Sequence, residues 1–298
     1  MPLTQSDRPG DSFLHLTDFH FWEIVLNPLR LLNKRAIGAM NVLLRRRNEF
    51  PMDRAGSYSD FVAARGVRQL LITGDFASTA TDKEMSLGAA FVRGLEERGL
   101  KPVVIAGNHD VYTFESVRKK RFEKHFGAWL PAAPLPCTHN LEGGTPVLFV
   151  PTVCPNYITS KGYISDEHLR EAAALLDGLV SPLIVAGHYP LLRKTHGYEL
   201  GANRRLRNGP ALREALGRSG LEIVYISGHV HRFSYVQDDD YPNLSHLTTS
   251  AFFRDDRESG TQGEFCEVHI GGGETRVIRH VNKGDWVAIE EKKRSDSC

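Results

Sequence analysis

The tetrapeptide Gly107-Asn108-His109-Asp110 ends the apolar run Pro102-Val103-Val104-Ile105-Ala106 and places three polar, metal- or proton-competent side chains where a buried strand should stop. The same arrangement recurs four more times. Residues 13–17 run into Asp18-Phe19-His20, residues 69–73 into Gly74-Asp75, residues 182–186 into Gly187-His188, and residues 221–227 into Gly228-His229-Val230-His231. Mixed carboxylate, amide and imidazole donors suit a pair of divalent cations. Two ions about 3.5–4 Å apart share an anionic bridge and clamp the attacking and leaving oxygens of a phosphoryl centre. A water between two such cations has its pKa lowered from about 15.7 towards ~7, so hydroxide is available at neutral pH without a protein base. Asp18 and His20, two residues apart on an extended segment, point the same way and can share one ion. Nitrogen and oxygen donors with open positions favour Mn, Fe, Zn or Co over an all-oxygen Mg cage.

For these side chains to meet, the runs that carry them must be neighbouring strands. Each is short and continuously apolar, the pattern of a strand buried on both faces of a parallel sheet. Loops leaving the carboxyl ends of such strands converge on one crevice, where open α/β sheets place their ligands. Singly the motifs say little, because Gly-Asp is a common turn and most histidines satisfy a core or face solvent. Taken in order, Asp-x-His, Gly-Asp, Gly-Asn-His-Asp, Gly-His and Gly-His-x-His resemble the calcineurin-like metallophosphoesterases, over residues 18–231 of the 298.

The resemblance implies that Asp18, His20, Asp75 and His231 bind one divalent ion and that Asp75, Asn108, His188 and His229 bind a second, with Asp75 as the bridge. It implies a metal-dependent phosphoester hydrolase whose nucleophile is the hydroxide between the two ions. His109, one residue past a ligand and poorly placed for the same metal, is left to contact a phosphoryl oxygen or to protonate the departing alkoxide, the work of the corresponding histidine in the family. In many relatives an acid three residues after the bridging Asp orients that histidine. Here that position is Ser78, a departure, which leaves Asp110 as the substitute.

The whole chain, 298 residues with 41% hydrophobic and 24% charged, has an ordinary globular composition and fits one large domain over residues 1–298. Lys and Arg number 37 against 36 Asp and Glu, so no global field argues for a nucleic-acid partner. Cys137, Cys154, Cys266 and Cys298 show neither metal nor redox spacing and fit free thiols in a reducing compartment. Residues 1–12 lack a charged-then-apolar leader pattern, and the expectation is a cytoplasmic enzyme.

Residues 26–47 hold six basic side chains (Arg30, Lys34, Arg35, Arg45, Arg46, Arg47) and no acid. Leu29, Leu32, Ala36, Met40 and Leu43 recur at helical spacing, with Arg30, Lys34, Asn41 and Arg45 on the opposite side. Two readings stand: a helix packed on the sheet with a solvated basic face, or a cationic amphipathic helix that lies on anionic lipid, peripheral to the inner face of a membrane, or caps the crevice. It is too short and too charged to span a bilayer.

The flanking elements follow from local signals. A helix over 57–64 closes at Gly66. Thr81 and Glu84 form a capping box that opens a helix through Glu97, with Met85, Phe91, Val92 and Leu95 inward. A basic helix covers 113–126, with Lys119, Lys120, Arg121 and Lys124 on a solvated face. Residues 146–150 read as a strand, and 154–163 as a rim segment whose Asn156 and Tyr157 are candidates for substrate contact. Ser165 caps a helix through Leu176. The long polar stretch 188–207 carries Arg193, His196, Arg204, Arg205 and Arg207, which either grip phosphate oxygens or are solvated. Alternating runs at 233–237, 244–249, 264–270 and 274–281 predict hairpins, and the tail from Glu290 is expected to fray. The expected fold is an α/β domain, which the resemblance makes a four-layer αββα sandwich of two mixed β-sheets flanked by helices.

The leading expectation is hydrolysis of a phosphodiester or diphosphate, since the metals set reaction class and the insertions set substrate. The basic helix points towards amphiphilic phosphates, as in the family's lipid-sugar diphosphate hydrolases that cleave UDP-diacylglucosamine, a match of architecture and not of a lipid-specific motif. A cyclic-nucleotide phosphodiesterase shares the Asp-x-His and Gly-Asn-His pattern and is the alternative. A non-catalytic scaffold of the same fold would show broken ligand motifs, and here every ligand position and His109 are intact.

Overall fold

All five apolar runs are strands, and the polar residues that stop them lie just past the last paired residue. The computed structural model describes residues 10–24, 46–195 and 204–293. The basic stretch 26–47 therefore lies outside the described residues except for Arg46 and Arg47, as do residues 196–203 with His196 and residues 294–298 of the tail.

One six-stranded sheet contains β1 (Asp11–Leu16), β2 (Gln69–Ile72), β3 (Lys101–Val104), β12 (Gly263–Gly271), β13 (Glu274–Asn282) and β14 (Trp286–Glu291), in the order β14-β13-β12-β1-β2-β3. A second contains β4 (Cys137–Asn140), β5 (Pro146–Phe149), β7 (Leu183–Ala186), β9 (Ile223–Ser227), β10 (Ser234–Gln237) and β11 (Leu244–Thr248), in the order β10-β11-β9-β7-β5-β4. A two-stranded ribbon pairs β6 (Gly162–Tyr163) with β8 (Leu206–Arg207). The motif-bearing strands are parallel to one another within each sheet, β1 to β2 to β3 and β7 to β9, so their carboxyl ends open in one direction within each sheet.

Successive residues of a strand face opposite ways, and the sequence uses both faces. Phe13, Leu71 and Ile105 meet Val147, Phe149, Ile184 and Ile226 in a layer between the two sheets. Their neighbours Leu14, Leu70 and Ile72 turn outward onto Met85, Phe91, Val92 and Leu95 of the helix Asp82–Glu97. On the far side, Leu148, Val185 and Tyr225 pack on Ala172 and Leu176 of the helix Asp166–Leu176 and on Leu212 and Leu216 of the helix Gly209–Arg218. Helices, two mixed sheets and helices make the expected four layers. Each fully buried large apolar side chain contributes roughly 1.5–3 kcal/mol, which makes the strand framework rigid enough to hold loops in fixed places.

Two local expectations fail and a third, the hairpins, holds but with a parallel neighbour, for identifiable reasons. The basic stretch 113–126 is two helices, Phe114–Arg118 and Arg121–Phe126, because Lys120 takes a left-handed conformation (φ 48°) between them. That kink turns Arg121 inward, where it donates to the Ala80 carbonyl and pairs with Glu115 and Asp82 instead of facing solvent. β10 and β11 form a hairpin, but β11 also lies parallel to β9 and so extends the parallel core. Glu290 and Glu291 belong to β14, which pairs along β13, and do not fray.

The approach of β2 to β3 sets the geometry beyond them. A Cβ on Gly74 (φ 98°) would collide with the backbone of Gly107, whereas one on Gly99 (φ 90°), at the end of the helix Asp82–Glu97, would meet open space. Gly99→Ala is expected to cost only the left-handed strain of about 1–2 kcal/mol. Gly74→Ala should cost clearly more and also lower the bound metal, read by thermal unfolding and elemental analysis. Equal losses with metal retained would show that this backbone contact does not set the site.

Candidate metal centre

Asp18 and His20 leave β1, Asp75 leaves β2, Asn108 and His109 follow β3, His188 follows β7, and His229 and His231 follow β9. The two sheets therefore deliver the expected residues to one crevice, three strand ends from one and two from the other. Extended geometry does not do this. Asp18 (φ 56°), His20 (φ 52°), Asp75 (φ 59°), His229 (φ 71°) and His231 (φ 55°) are all left-handed, five of the eight non-glycine residues with positive φ among those described. The expectation that Asp18 and His20 project alike from an extended segment is thus corrected. The chain coils immediately after Leu16, and Asp18 N–H and His20 N–H donate to the Gly74 and Asp75 carbonyls at 2.9 Å each. Such conformations cost on the order of 1–3 kcal/mol apiece and persist where the surroundings over-determine them, a pattern that clusters at functional sites.

Asp18, His20, Asp75 and His231 each offer one ligand atom, all within 4.8 Å of one another. Asp18 Oδ2 accepts from Thr17 Oγ1 and from His229 N–H, while its Oδ1 is buried without a hydrogen-bond partner. His231 Nε2 stands 3.2 Å and His20 Nε2 3.7 Å from that bare oxygen. Asp75 Oδ2 lies 3.7 Å from His20 Nε2 and 3.4 Å from His188 Nε2, so it sits between the two groups of donors. On the far side Asn108 Oδ1 is 3.1 Å from His188 Nε2 and 2.8 Å from His229 Nδ1.

The outer nitrogens decide what the inner ones can do. His188 Nδ1–H donates to the Thr73 carbonyl at 2.7 Å, and His229 Nε2–H donates to the Arg204 carbonyl at 3.0 Å. In the neutral rings the inward nitrogen is then a bare lone pair. His188 Nε2 and His229 Nδ1 converge with the oxygens of Asn108 and Asp75, and in the absence of a cation the carboxylates keep a proton on His188. This donor set fits divalent metal, which would take the place of that proton. Burial opposes a charge on His188, but the Asp75 and Asp18 carboxylates and the Thr73 carbonyl push its pKa up to about 9. His20 and His229 go the other way, held well below the usual imidazole value by burial and then by the neighbouring cations Arg46 and His188 respectively.

Asp110 does not orient His109. Its carboxylate accepts from Asp75 N–H (2.8 Å), Ala77 N–H (2.9 Å) and Gly107 N–H (2.8 Å), tying the loop after β2 to the loop after β3. His109 is oriented at the position of the departed acid after all, but by the backbone: Nδ1–H donates to the Ser78 carbonyl at 2.7 Å. The ring stacks on Tyr112, and its own N–H donates to Asp75 Oδ1 at 2.7 Å. A side chain absent from the expected set also enters. Arg46 Nη1 is 2.8 Å from His20 Nδ1, and Nη2 is 2.9 Å from His109 Nε2. Its only sequence signal is membership of the arginine run 45–47. Of the remaining candidates, Asn156 closes its own loop through the Cys154 and Lys161 carbonyls, Tyr157 lies exposed against Phe114, and Arg207 covers the Tyr163 ring.

The calcineurin-like phosphoesterase family model matches residues 12–233, and the chain belongs to that family. Its members carry dinuclear divalent metal centres, and the chain is a metal-dependent phosphoester hydrolase. Among solved structures it is similar to a dimetal phosphatase from Danio rerio (TM-score 0.58, 12% identity, covering 94% of this chain and 98% of that one). It is also similar to purple acid phosphatase PPD1 from yellow lupin, Lupinus luteus (TM-score 0.62, 10% identity, covering 95% of this chain and 53% of that one). At these identities the likeness is one of fold. No curated protein sequence matches the chain.

Protons and metal compete for His188. Because its pKa is raised, the imidazolium persists through neutral pH and must lose a proton before Nε2 can bind a cation. In chain stripped by chelation, affinity for Zn²⁺ measured by calorimetry should rise about tenfold per pH unit from ~7 towards 9 and then level. A flat profile over that interval would refute the competition.

Proposed function

We propose that the chain hydrolyses a phosphodiester or diphosphate bond at two divalent cations, Mn, Fe, Zn or Co, within a single domain. Asp18, His20, Asp75 and His231 hold one cation, and Asp75, Asn108, His188 and His229 hold the other. The observation that carries this reading is the place of Asp75 Oδ2 between His20 Nε2 and His188 Nε2, at 3.7 and 3.4 Å. When bound, the cation pair supplies hydroxide at neutral pH and neutralises charge on the phosphoryl oxygens.

The chain's own groups do the rest. Asp75 would be shared by both cations, and its Oδ1 accepts from His109 N–H, which ties the acid to that residue. The Ser78 carbonyl holds His109 Nδ1–H, so Nε2 is the nitrogen left to face the crevice, where the protonated ring would deliver a proton to the departing oxygen. Asp110, fixed by three N–H donors, keeps the loops after β2 and β3 in register.

The substrate is amphiphilic, a lipid-linked diphosphate or diester, in this reading. Support comes from the rim. Phe114 (47% exposed), Tyr157 (79%) and Ile158 (78%) leave apolar surface in water, with Phe114 and Tyr157 rings 4.6 Å apart and Phe114 five residues along the chain from His109. Such exposed apolar side chains, in a chain whose sequence also carries a run of basic residues, suit an acyl chain or anionic lipid surface. Among the described residues no helix is long and apolar enough to cross a membrane.

Purified chain should cleave a diester and a diphosphate in Mn²⁺, lose all turnover on chelation and recover it on readdition. His109→Ala should keep its metal and lose on the order of 10²–10⁴ in kcat on a poor leaving group, and much less on an activated one. Wild-type kcat in that variant with an unactivated substrate, or full turnover in metal-free chain, would end this reading. The double change Tyr157→Ser and Ile158→Ser should weaken sedimentation with phosphatidylglycerol vesicles and lower activity on a lipid-linked diphosphate while sparing a small soluble diester. Equal loss on both substrates would dismiss the amphiphilic one.

A further inference from the structure

Several buried or half-buried guanidiniums among the described residues sit on carboxylates. Arg121 lies on Glu115 and Asp82, Arg213 on Asp238 and Asp240, and Arg279 on Glu264. Arg46 does not. Its two terminal nitrogens stand 2.8 Å from His20 Nδ1 and 2.9 Å from His109 Nε2, and among the described residues no carboxylate lies within ion-pair distance of it. Loss of water is the largest influence on this guanidinium, offset only at a distance by Asp75, Glu84 and Asp18 among others. Neutral imidazoles supply no counter-charge, and a half-buried charge without one is costly.

The position is also specific. With Nδ1–H of His109 spent on the Ser78 carbonyl, Nε2 presents a lone pair, and Arg46 takes it. A leaving-group oxygen would have to approach the same nitrogen. The backbone of Arg46 is fixed at one end by its carbonyl, which accepts from Phe50 N–H at 2.8 Å across the short turn Arg47–Glu49. Phe50 in turn packs edge-on against the His20 ring.

We propose that Arg46 is a substrate-binding residue whose guanidinium engages the non-bridging phosphoryl oxygens of the phosphate ester, exchanging His109 Nε2 for the anion. This rests on the hydrolytic reading above and deepens it. A planar fork of N–H donors matches a phosphoryl group in a way a point charge does not. Arg46 belongs to none of the five motifs.

The test uses the full metal-loaded chain with inorganic phosphate as the probe. Arg46→Met should weaken phosphate binding, read by calorimetry and by competitive inhibition, on the order of 10–100-fold, and raise KM in step. Metal content should be unchanged, and added guanidinium ion should restore part of the phosphate affinity. Arg46→Lys keeps the charge and guards against a variant that fails to fold; it should lose about tenfold in phosphate affinity because the fork is gone. Unchanged phosphate affinity in either folded variant overturns the proposal, as does loss of metal with no rescue by guanidinium, which would make Arg46 a support for His20. Phosphate binding is read without turnover. A chain that binds phosphate through Arg46 yet cleaves neither diester nor diphosphate would refute the proposed reaction and leave this inference standing.

Discussion

Around Asp75 the crevice gathers donor atoms suited to a cation. His188 and His229 spend their outer N–H groups on the Thr73 and Arg204 carbonyls, so their inner nitrogens converge with the Asn108 amide oxygen and Asp75 Oδ2, separated without a cation by the proton that the carboxylates hold on His188. Asp18 Oδ1 adds a carboxylate oxygen that nothing hydrogen-bonds. In a dry, low-dielectric interior an uncompensated polar or charged group costs several kcal/mol. A cation offsets that cost for all of them together. The chain's contribution is to have fixed beforehand which nitrogen of each ring is available, through carbonyls that belong to rigid strand ends.

Holding that arrangement demands backbone shapes that most residues avoid. Five left-handed residues within one crevice represent roughly 5–10 kcal/mol of conformational cost if each contributes 1–2 kcal/mol, comparable to the net stability of a whole domain. It is tolerated because each strained residue is locked from several sides. Asp18 N–H and His20 N–H are held by the chain after β2, and Asp110 clamps that chain to the loop after β3 with three N–H donors. Asp110 thus serves the metal centre through the backbone, although it touches none of the donor atoms of the neighbouring imidazoles.

This explains which parts of the molecule were legible in the sequence. The strands were, because an apolar run buried on both faces must be continuous, and each ends at a polar residue that cannot enter the layer between the sheets. The Thr81–Glu84 cap was, because its two reciprocal hydrogen bonds depend on four consecutive residues alone. The conformations of Asp18 and His20 were not, since a left-handed backbone there is imposed by carbonyls of residues 74 and 75. Arg121 reads as solvated for a similar reason: its inward turn depends on the conformation of Lys120 and on Asp82, nearly forty positions earlier. The helix Gly209–Arg218 carried a fair signal, Pro210 in its first turn and Leu212 with Leu216 inward, but it was hidden at the end of a polar stretch.

Orientation of His109 shows how a missing motif residue can mislead. Ser78 stands where relatives place an acid, and the sequence offers Asp110 as the nearest replacement, yet a backbone carbonyl needs no particular side chain and leaves no trace in composition. A neutral carbonyl fixes the same tautomer as a carboxylate would but stabilises the imidazolium less. Arg46 meets the ring at its other nitrogen, Nε2, at 2.9 Å, so His109 is fixed between a backbone carbonyl and a guanidinium, with Tyr112 stacked on the ring.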